Sequence, residues 1–551
     1  MTQMEVVPAG TVDKDWWRGA VIYQIYPRSF QDSNGDGIGD LNGITERLHH
    51  VAELGVEAIW ISPFFTSPML DFGYDVSNYR DVDPMFGTLA DFDRLIARAH
   101  DLGIKVLIDL VLSHTSDQHP WFTQSRADAD NDKADWYVWA DAKPDGTPPN
   151  NWLSIFGGSA WEWDAQRMQY YLHNFLIQQP DLNLHAPAVQ QELLDVARFW
   201  LDRGVDGFRL DTINFYFHDK ELRDNPHLNP EDRNDLIAPA VNPYNWQDHI
   251  RDKNQPENLA FLKRLRKVLD SYPAATIVGE VGDAQYGLEI QAQYTSGGDK
   301  VHMCYDFAFL SNAAITGTRV ADVLTRFDEA GPDGWACWAF SNHDVKRHAS
   351  RWNLTDAELR LYAALLLSLK GSVCLYQGEE LGLGEADVAF DDLQDPYGVR
   401  FWPKFKGRDG CRTPMPWITD NANGGFSAAK PWLPMATEHL GRSAGNQNAE
   451  PGSLLTFYKR AIAYRRARTA LKRGQTQIIT ATDSVLVMLR QTEDQTILCA
   501  FNFADAPSEI TLPEGAWESD KMAPYPANIA NGTLRLDAFS AGFLHRAGQM
   551  D

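Results

Sequence analysis

The chain has 551 residues, a formal net charge of −25 and 44% hydrophobic residues. That length allows more than one domain around a large core, and the apolar fraction is that of a globular protein. So acidic a balance excludes nucleic acid and anionic membrane surfaces as partners.

The N-terminal stretch 1–17 has neither the basic start nor the apolar core of a signal peptide. The longest apolar run, 361–369, is too short to span a bilayer. Cys304, Cys337, Cys374, Cys411 and Cys499 are odd in number, far apart and without metal-ligand spacing. These features predict a soluble cytoplasmic protein, a monomer or homodimer, with no organic cofactor.

Residues 20–26 form a short apolar run that reads as a buried strand. The stretch Asp32-Ser33-Asn34-Gly35-Asp36-Gly37-Ile38-Gly39-Asp40 follows, with oxygen side chains at nearly every second position and glycines at the bends. It matches the first part of an EF-hand loop, but Gly43 stands at the twelfth position in place of Glu. The expectation is a structural Ca²⁺ (or Mg²⁺) loop using Asp32, Asn34, Asp36, Ile38 through its carbonyl, and Asp40. The alternative is a turn with scattered acids.

Helical and strand patterns then alternate. Helices are expected at 44–54, 89–102, 189–203, 259–269, 320–329 and 357–370. Strands are expected at 57–61, 105–112, just before Asp211, 275–280, 301–307, 336–340 and 372–376. With the first strand these make eight, the pattern of an α/β (β/α)8 TIM barrel. An inserted subdomain is expected after strand three, over 113–184, splitting the barrel into 1–112 and 185–471. A second insert, 382–434, follows strand eight and is rich in Pro, Gly and aromatics. From 472 to 551 short alternating strands predict a C-terminal antiparallel β domain.

In such a barrel function sits at the C-terminal strand ends. Those ends carry Asp109 and His114, then Asp211, Glu280, and His343 with Asp344. Arg209 and Asp211 are two residues apart, so they share a strand face, and the guanidinium keeps the carboxylate ionised. Four acids and two histidines at one mouth suit hydrolysis of a sugar acetal, which needs an ionised nucleophile and a protonated acid. Asp211 is the expected nucleophile. Glu280, after apolar Ile277-Val278-Gly279, is the expected acid, and Asp344 is the third carboxylate. His114 and His343 carry donors for sugar hydroxyls, although either alone also suits a core histidine. A zinc site fails, because no His-x-x-x-His or Cys-x-x-Cys spacing occurs.

Four segments carry a family resemblance: Asp109 to His114, Gly207 to Asp211, Val278-Gly279-Glu280, and Phe340 to Asp344. In order and position they resemble the signature segments of the α-amylase superfamily of retaining glycoside hydrolases. Gln179-Pro180-Asp181-Leu182-Asn183 looks like the segment of its oligo-1,6-glucosidase and α-glucosidase group. Gly73-Tyr74-Asp75 and Arg412-Thr413-Pro414-Met415-Pro416-Trp417 are similar to that group's pocket. The resemblance implies that Asp75 and Arg412 grip the terminal glucose and that Tyr74, Phe156 and Phe175 wall its site. It also implies exo action on a small oligosaccharide or α-glucoside, and a metal in the Asp32 to Asp40 loop. Thr212, where α-1,6-specific members tend to carry Val, implies a lean toward α-1,4 links. Rivals are an α-1,6-specific oligoglucosidase, a dedicated glucosyl transferase or a sucrose isomerase; residues 307–334 show no compact Arg/Asp cluster of the isomerase kind.

Overall fold

The computed structural model describes residues 13–549 apart from positions 420 and 422. Most of the leader reading, residues 1–12 of 1–17, lies outside the described residues.

Eight short strands build the central sheet: β1 (Val21–Ile25), β2 (Ala58–Ile61), β3 (Lys105–Leu110), β4 (Gly207–Leu210), β5 (Thr276–Glu280), β6 (Met303–Tyr305), β7 (Cys337–Ala339) and β8 (Ser372–Tyr376). Almost every strand residue is buried, as expected for parallel strands covered on both faces. Neighbours pair in parallel in the order β6-β5-β4-β3-β2-β1-β8-β7. A parallel bridge between Cys304 and Ala336 joins the two ends, so the sheet closes into a barrel.

The covering helices include α1 (Leu41–Leu54), α2 (Leu89–Asp101), α3 (Pro187–Asp202), α4 (Asn258–Leu269), α5 (Gly287–Thr295), α6 (Gly317–Ala330) and α7 (Asp356–Leu366). Their starts are written locally. Asp40 caps α1 by accepting from the Gly43 N–H, and Thr88–Asp91 and Thr355–Glu358 form capping boxes on α2 and α7. Gly55, at φ 87°, ends α1 in a left-handed conformation that suits glycine. Helix α5 has no counterpart in the sequence reading; its Gly and Gln positions blur the apolar stripe that marks the others. Strands β3 and β6 stop short of the expected 112 and 307, because the chain leaves the ladder there to form the mouth loops.

Between β3 and α3 lie a helix (Pro120–Ala127), whose Phe122 packs on Tyr137, Trp139 and Tyr171, and a three-stranded sheet (Trp139–Ala140, Gln169–Leu172, Trp161–Asp164) that packs around Trp152, Trp161 and Leu172. Bridges from His114 to Asp181 and from Tyr137 to Leu182 join the two ends of this insert at its base. After β8, the chain crosses the mouth with short helical turns at Pro396–Phe401 and Asp409–Cys411. Helix α8 (Leu454–Ala467) closes the barrel's outer layer. Beyond it lie an antiparallel five-stranded sheet, beginning at Gln475–Ala481, and a three-stranded one. Leu486, Met488, Phe501 and Phe543 of this region belong to the same buried cluster as the barrel's outer layer. Among the described residues no helix is long and apolar enough to cross a membrane.

Candidate active site

Strand β4 delivers Arg209 into the barrel interior with no exposed surface. Its Nη1 donates to Asp109 Oδ1 at 2.8 Å and to Asp211 Oδ1 at 2.7 Å. Its Nη2 donates to Glu280 Oε2 at 2.5 Å. One guanidinium therefore ties together the acids that end β3, β4 and β5, an arrangement that suits Arg and not Lys. Asp109 is fully buried beneath this group and also accepts from the Trp60 indole N–H at 2.9 Å.

The residue after Asp211 is unusual. Thr212 has φ 38° and ψ 52°, a left-handed backbone that a β-branched residue rarely adopts. In that conformation its N–H donates to Glu280 Oε2 at 3.2 Å and its hydroxyl to Asp211 Oδ2 at 3.1 Å. Thr212 thus bridges the two carboxyls from the pocket side. Among the described residues Glu280 Oε1 has no hydrogen-bond partner, so the oxygen that faces the cavity is free to give or take a proton.

Burial and mutual repulsion govern these acids. Asp211 is raised from its ordinary 3.8 to about 7, by burial first, opposed by Arg209 and reinforced by Asp109 and Asp344. Glu280 is raised from 4.5 to about 7 by burial, opposed by Arg209 and reinforced by Asp211 and Asp344. Arg209 alone therefore does not single out Asp211 as the ionised partner, as the sequence reading expects. It serves both carboxyls, and near neutral pH the pair shares a proton. Asp344 behaves oppositely. Burial would raise it, but His343, Arg408 and Arg412 outweigh burial and hold it well below the carboxylate range. Its Oδ1 accepts from Arg408 Nη1 at 3.1 Å and Arg412 Nη2 at 3.0 Å.

Asp211, Glu280 and Asp344 line one cavity of about 790 Å³, together with Tyr74, His114, Phe156, Phe175 and Thr212. The His114 ring lies tilted against Phe175, with centroids 5.0 Å apart, and is held by the Tyr74 carbonyl at 3.2 Å. Burial holds its ring down to about 3, so it stays neutral.

Four predicted site residues do not line this cavity. Arg209 lies beneath the carboxylates. His343 is fully buried, with Nδ1 2.7 Å from Gln24 Nε2 and Nε2 2.6 Å from the Tyr74 hydroxyl. Its ring stacks on Tyr74 at 5.5 Å, so it orients that residue and Asp344. Asp75 accepts from the Ser67 hydroxyl and from the Leu70 and Asp71 N–H groups, which fixes the loop instead of facing the cavity. Arg412 donates to the His343 carbonyl and to Asp344 from behind.

The Asp–Arg pair on the cavity wall stands four residues earlier in each motif. Asp71 and Arg408 line the cavity and pair at 2.9 Å. Arg408 also pairs with Asp395 and lies 5.3 Å from the Phe156 ring centroid. The sequence places Asp71 and Asp75 on either side of Gly73-Tyr74, and Arg408 and Arg412 on either side of Asp409-Gly410-Cys411. Spacing alone does not say which member of each pair faces inward. Glu385, on the outer wall, is a further pocket acid that the sequence reading passes over.

In the 32–40 loop, Asp32 accepts from the N–H groups of Asn34, Gly35 and Gly37 and from the Ser427 hydroxyl. Asn34 and Asp36 accept from the N–H groups of Asp36 and Ile38. Among the described residues no group of three or more His, Cys, Asp or Glu gathers as a metal cluster. The loop's donors are all oxygens, the chemistry of a hard cation, and include an Asn side chain and a backbone carbonyl. Asp40 likewise accepts, from Ser33 and from the Gly43 N–H as it caps α1.

A family model described as alpha amylase, catalytic domain, matches residues 24–474. A probable alpha-glucosidase from Rhizobium meliloti (strain 1021) is 63% identical over 539 residues, covering 97% of this chain and 98% of its own. An oligo-1,6-glucosidase from Heyndrickxia coagulans is 36% identical over 545 residues, covering 92% and 95%. Among solved structures, an alpha-glucosyl transfer enzyme, XgtA, superposes with a TM-score of 0.93 at 53% identity, covering 96% of this chain and 99% of its own.

Proposed function

The chain belongs to the α-amylase catalytic-domain family and is a glycoside hydrolase, and we propose that it is a retaining, exo-acting α-glucosidase. The observation that carries this reading is the convergence of Asp211, Glu280 and Asp344 on a cavity whose wall also holds the Asp71–Arg408 pair. In the proposed reaction a terminal glucose sits between the Tyr74 and Phe175 rings, its hydroxyls held by Asp71, Arg408 and His114. Glu280 gives its proton to the glycosidic oxygen. Asp211 attacks the anomeric carbon from the opposite face, the bond to the aglycone breaks, and a β-glucosyl ester forms. Asp344, held ionised by its two arginines, stabilises the positive charge that develops on the ring. Glu280 then takes a proton from water, the water oxygen attacks the anomeric carbon, the bond from that carbon to the Asp211 oxygen breaks, and α-glucose leaves with its configuration retained.

Three measurements test this. Asp211→Asn should lower kcat by about 10⁴-fold while sugar still binds; near-normal turnover sinks the assignment. The first-formed product should be the α-anomer by NMR. Thr212 supports faster cleavage of maltose than of isomaltose, and the reverse ratio would refute the linkage preference. The 53% identical transfer enzyme favours a second reading, in which an alcohol or sugar replaces water at the ester. The outer cavity carries Leu236, Ile237, Val241, Phe307 and Leu310, an apolar lining that suits an acceptor as well as a leaving group. The ratio of free glucose to transfer product at high substrate concentration separates the two.

The 32–40 loop is proposed to hold Ca²⁺ or Mg²⁺ through Asp32, Asn34, Asp36, the Ile38 carbonyl and Asp40. The ion would fix the loop that leads into α1 and take no part in the reaction. Chelator treatment should lower Tm, readdition should restore it, and Asp32→Ala should abolish the difference; equal Tm in chelated and metal-loaded protein would remove the ion.

A further inference from the structure

A second cavity, of about 330 Å³, opens at the N-terminal end of the barrel strands, away from the catalytic carboxylates. Trp17 ahead of β1, His302 ahead of β6 and Trp335 ahead of β7 line it, with Arg18 and Arg266.

His302 is only 5% exposed. Its Nδ1 accepts from the Ile277 backbone N–H at 3.1 Å. A backbone N–H can only donate, so the neutral ring must carry its proton on Nε2. Among the described residues that N–H has no partner, and the ring lines the cavity. Open to the cavity, this donor is available to a ligand or to water.

The arginines point the same way. Arg18 lies 4.4 Å from the Trp17 ring centroid and 4.8 Å from that of Trp335. Its Nε is 3.3 Å from Asp15, while its Nη atoms have no partner among the described residues. Arg266 donates through Nε to Asp270 at 2.7 Å and through Nη1 to the Lys300 carbonyl, leaving Nη2. The side chains of Asp15 and Asp270 are 58% and 55% exposed, against 34% for Arg18 and 17% for Arg266. The carboxylates of Asp15 and Asp270 therefore sit on the solvent rim; Asp333, the third acid of the lining, is also exposed and accepts from the Gly297 N–H. The N–H donors lie further in. A cation would meet donors there; an anion would meet acceptor-hungry groups.

We propose that this cavity binds a small oxyanion, a phosphate or carboxylate group, on the His302 Nε2–H and the free guanidinium edges of Arg18 and Arg266. Burial, then the nearby Arg266 and Arg18, hold the His302 ring well below its ordinary range, so it stays a neutral donor and faces a positive local field. The site is at the stability end of the barrel, so occupancy should raise stability by mass action and leave turnover alone.

The test titrates inorganic phosphate, and separately malonate, into the full-length protein at constant ionic strength, read by calorimetry and by Tm against a chloride control. One saturable site per chain is expected, with a rise in Tm beyond that in chloride. The tighter of the two anions identifies the oxyanion class. His302→Asn, which keeps an acceptor for the Ile277 N–H, and Arg18→Gln should each weaken binding by about tenfold or more. Turnover of an aryl α-glucoside should be unchanged in both. No saturable binding of either anion, equal affinity in wild type and both variants, or competitive inhibition by the anion would each overturn the proposal.

Discussion

At the scale of single residues, the catalytic acids are set by burial and by one another more than by Arg209. Asp211 and Glu280 both lie near 7, so the activity profile belongs to the pair. A narrow bell centred near neutral pH is expected. Asp344 raises both groups, so removing its charge in Asp344→Asn should move the basic limb to lower pH while cutting turnover; a limb that stays put would show that Asp344 does not reach them. Stability follows with a definite sign. A folded value raised above the unfolded 3.8 or 4.5 gives stability that is full below about pH 4 and is lost as pH rises through 7. Asp211→Asn cannot ionise. Its Tm should therefore exceed that of wild type by roughly 2 °C at pH 7.5 and match it near pH 4. Asp344, depressed below 3.8, runs the other way, and its contribution is lost only in strong acid.

At the scale of elements, strand ends supply the acids and loops supply the pocket. Strand alternation places Arg209 and Asp211 on one face, so this part of the site was legible in six residues of sequence. The walls were not. Asp71 and Asp75, like Arg408 and Arg412, are near neighbours of one residue type, and a loop has no fixed period that says which points inward. In the fold, Asp75 satisfies backbone N–H groups of its own turn, and Arg412 is drawn behind Asp344. This difference is testable. Asp71→Asn and Arg408→Met should each raise KM for maltose by about 10²-fold, a loss on the order of 2–3 kcal/mol. Because the two touch, the double variant should lose less than the sum. Additive losses would mean that they grip substrate independently. Asp75→Asn is expected to act on Tm more than on KM.

At the scale of the whole molecule, the barrel and the C-terminal strands share a core. Leu486, Met488, Phe501 and Phe543 pack in the cluster that holds the barrel's outer layer. Arg490, fully buried, donates to the Ser368 and Gly474 carbonyls, and Arg465 to those of Gly19, Leu367, Leu369 and Gly371. Among the described residues neither has a carboxylate partner. The expected outcome is one calorimetric transition for the intact chain, and an insoluble product when the chain is ended at Gly474. Two separate transitions would mean that the C-terminal sheets fold alone.

The sequence by itself determined the order of the barrel elements apart from helix α5, the eight-strand count and the three carboxylates at the strand ends. These rest on local signals, namely apolar period, helix caps and the two-residue alternation of a strand. Only the tertiary structure decided which loop residues face the substrate, that Arg209 serves two carboxyls at once, and that a buried His302 faces a cavity at the far end. Each of those depends on burial and on distances between residues tens or hundreds of positions apart, and no local pattern encodes a distance of that kind.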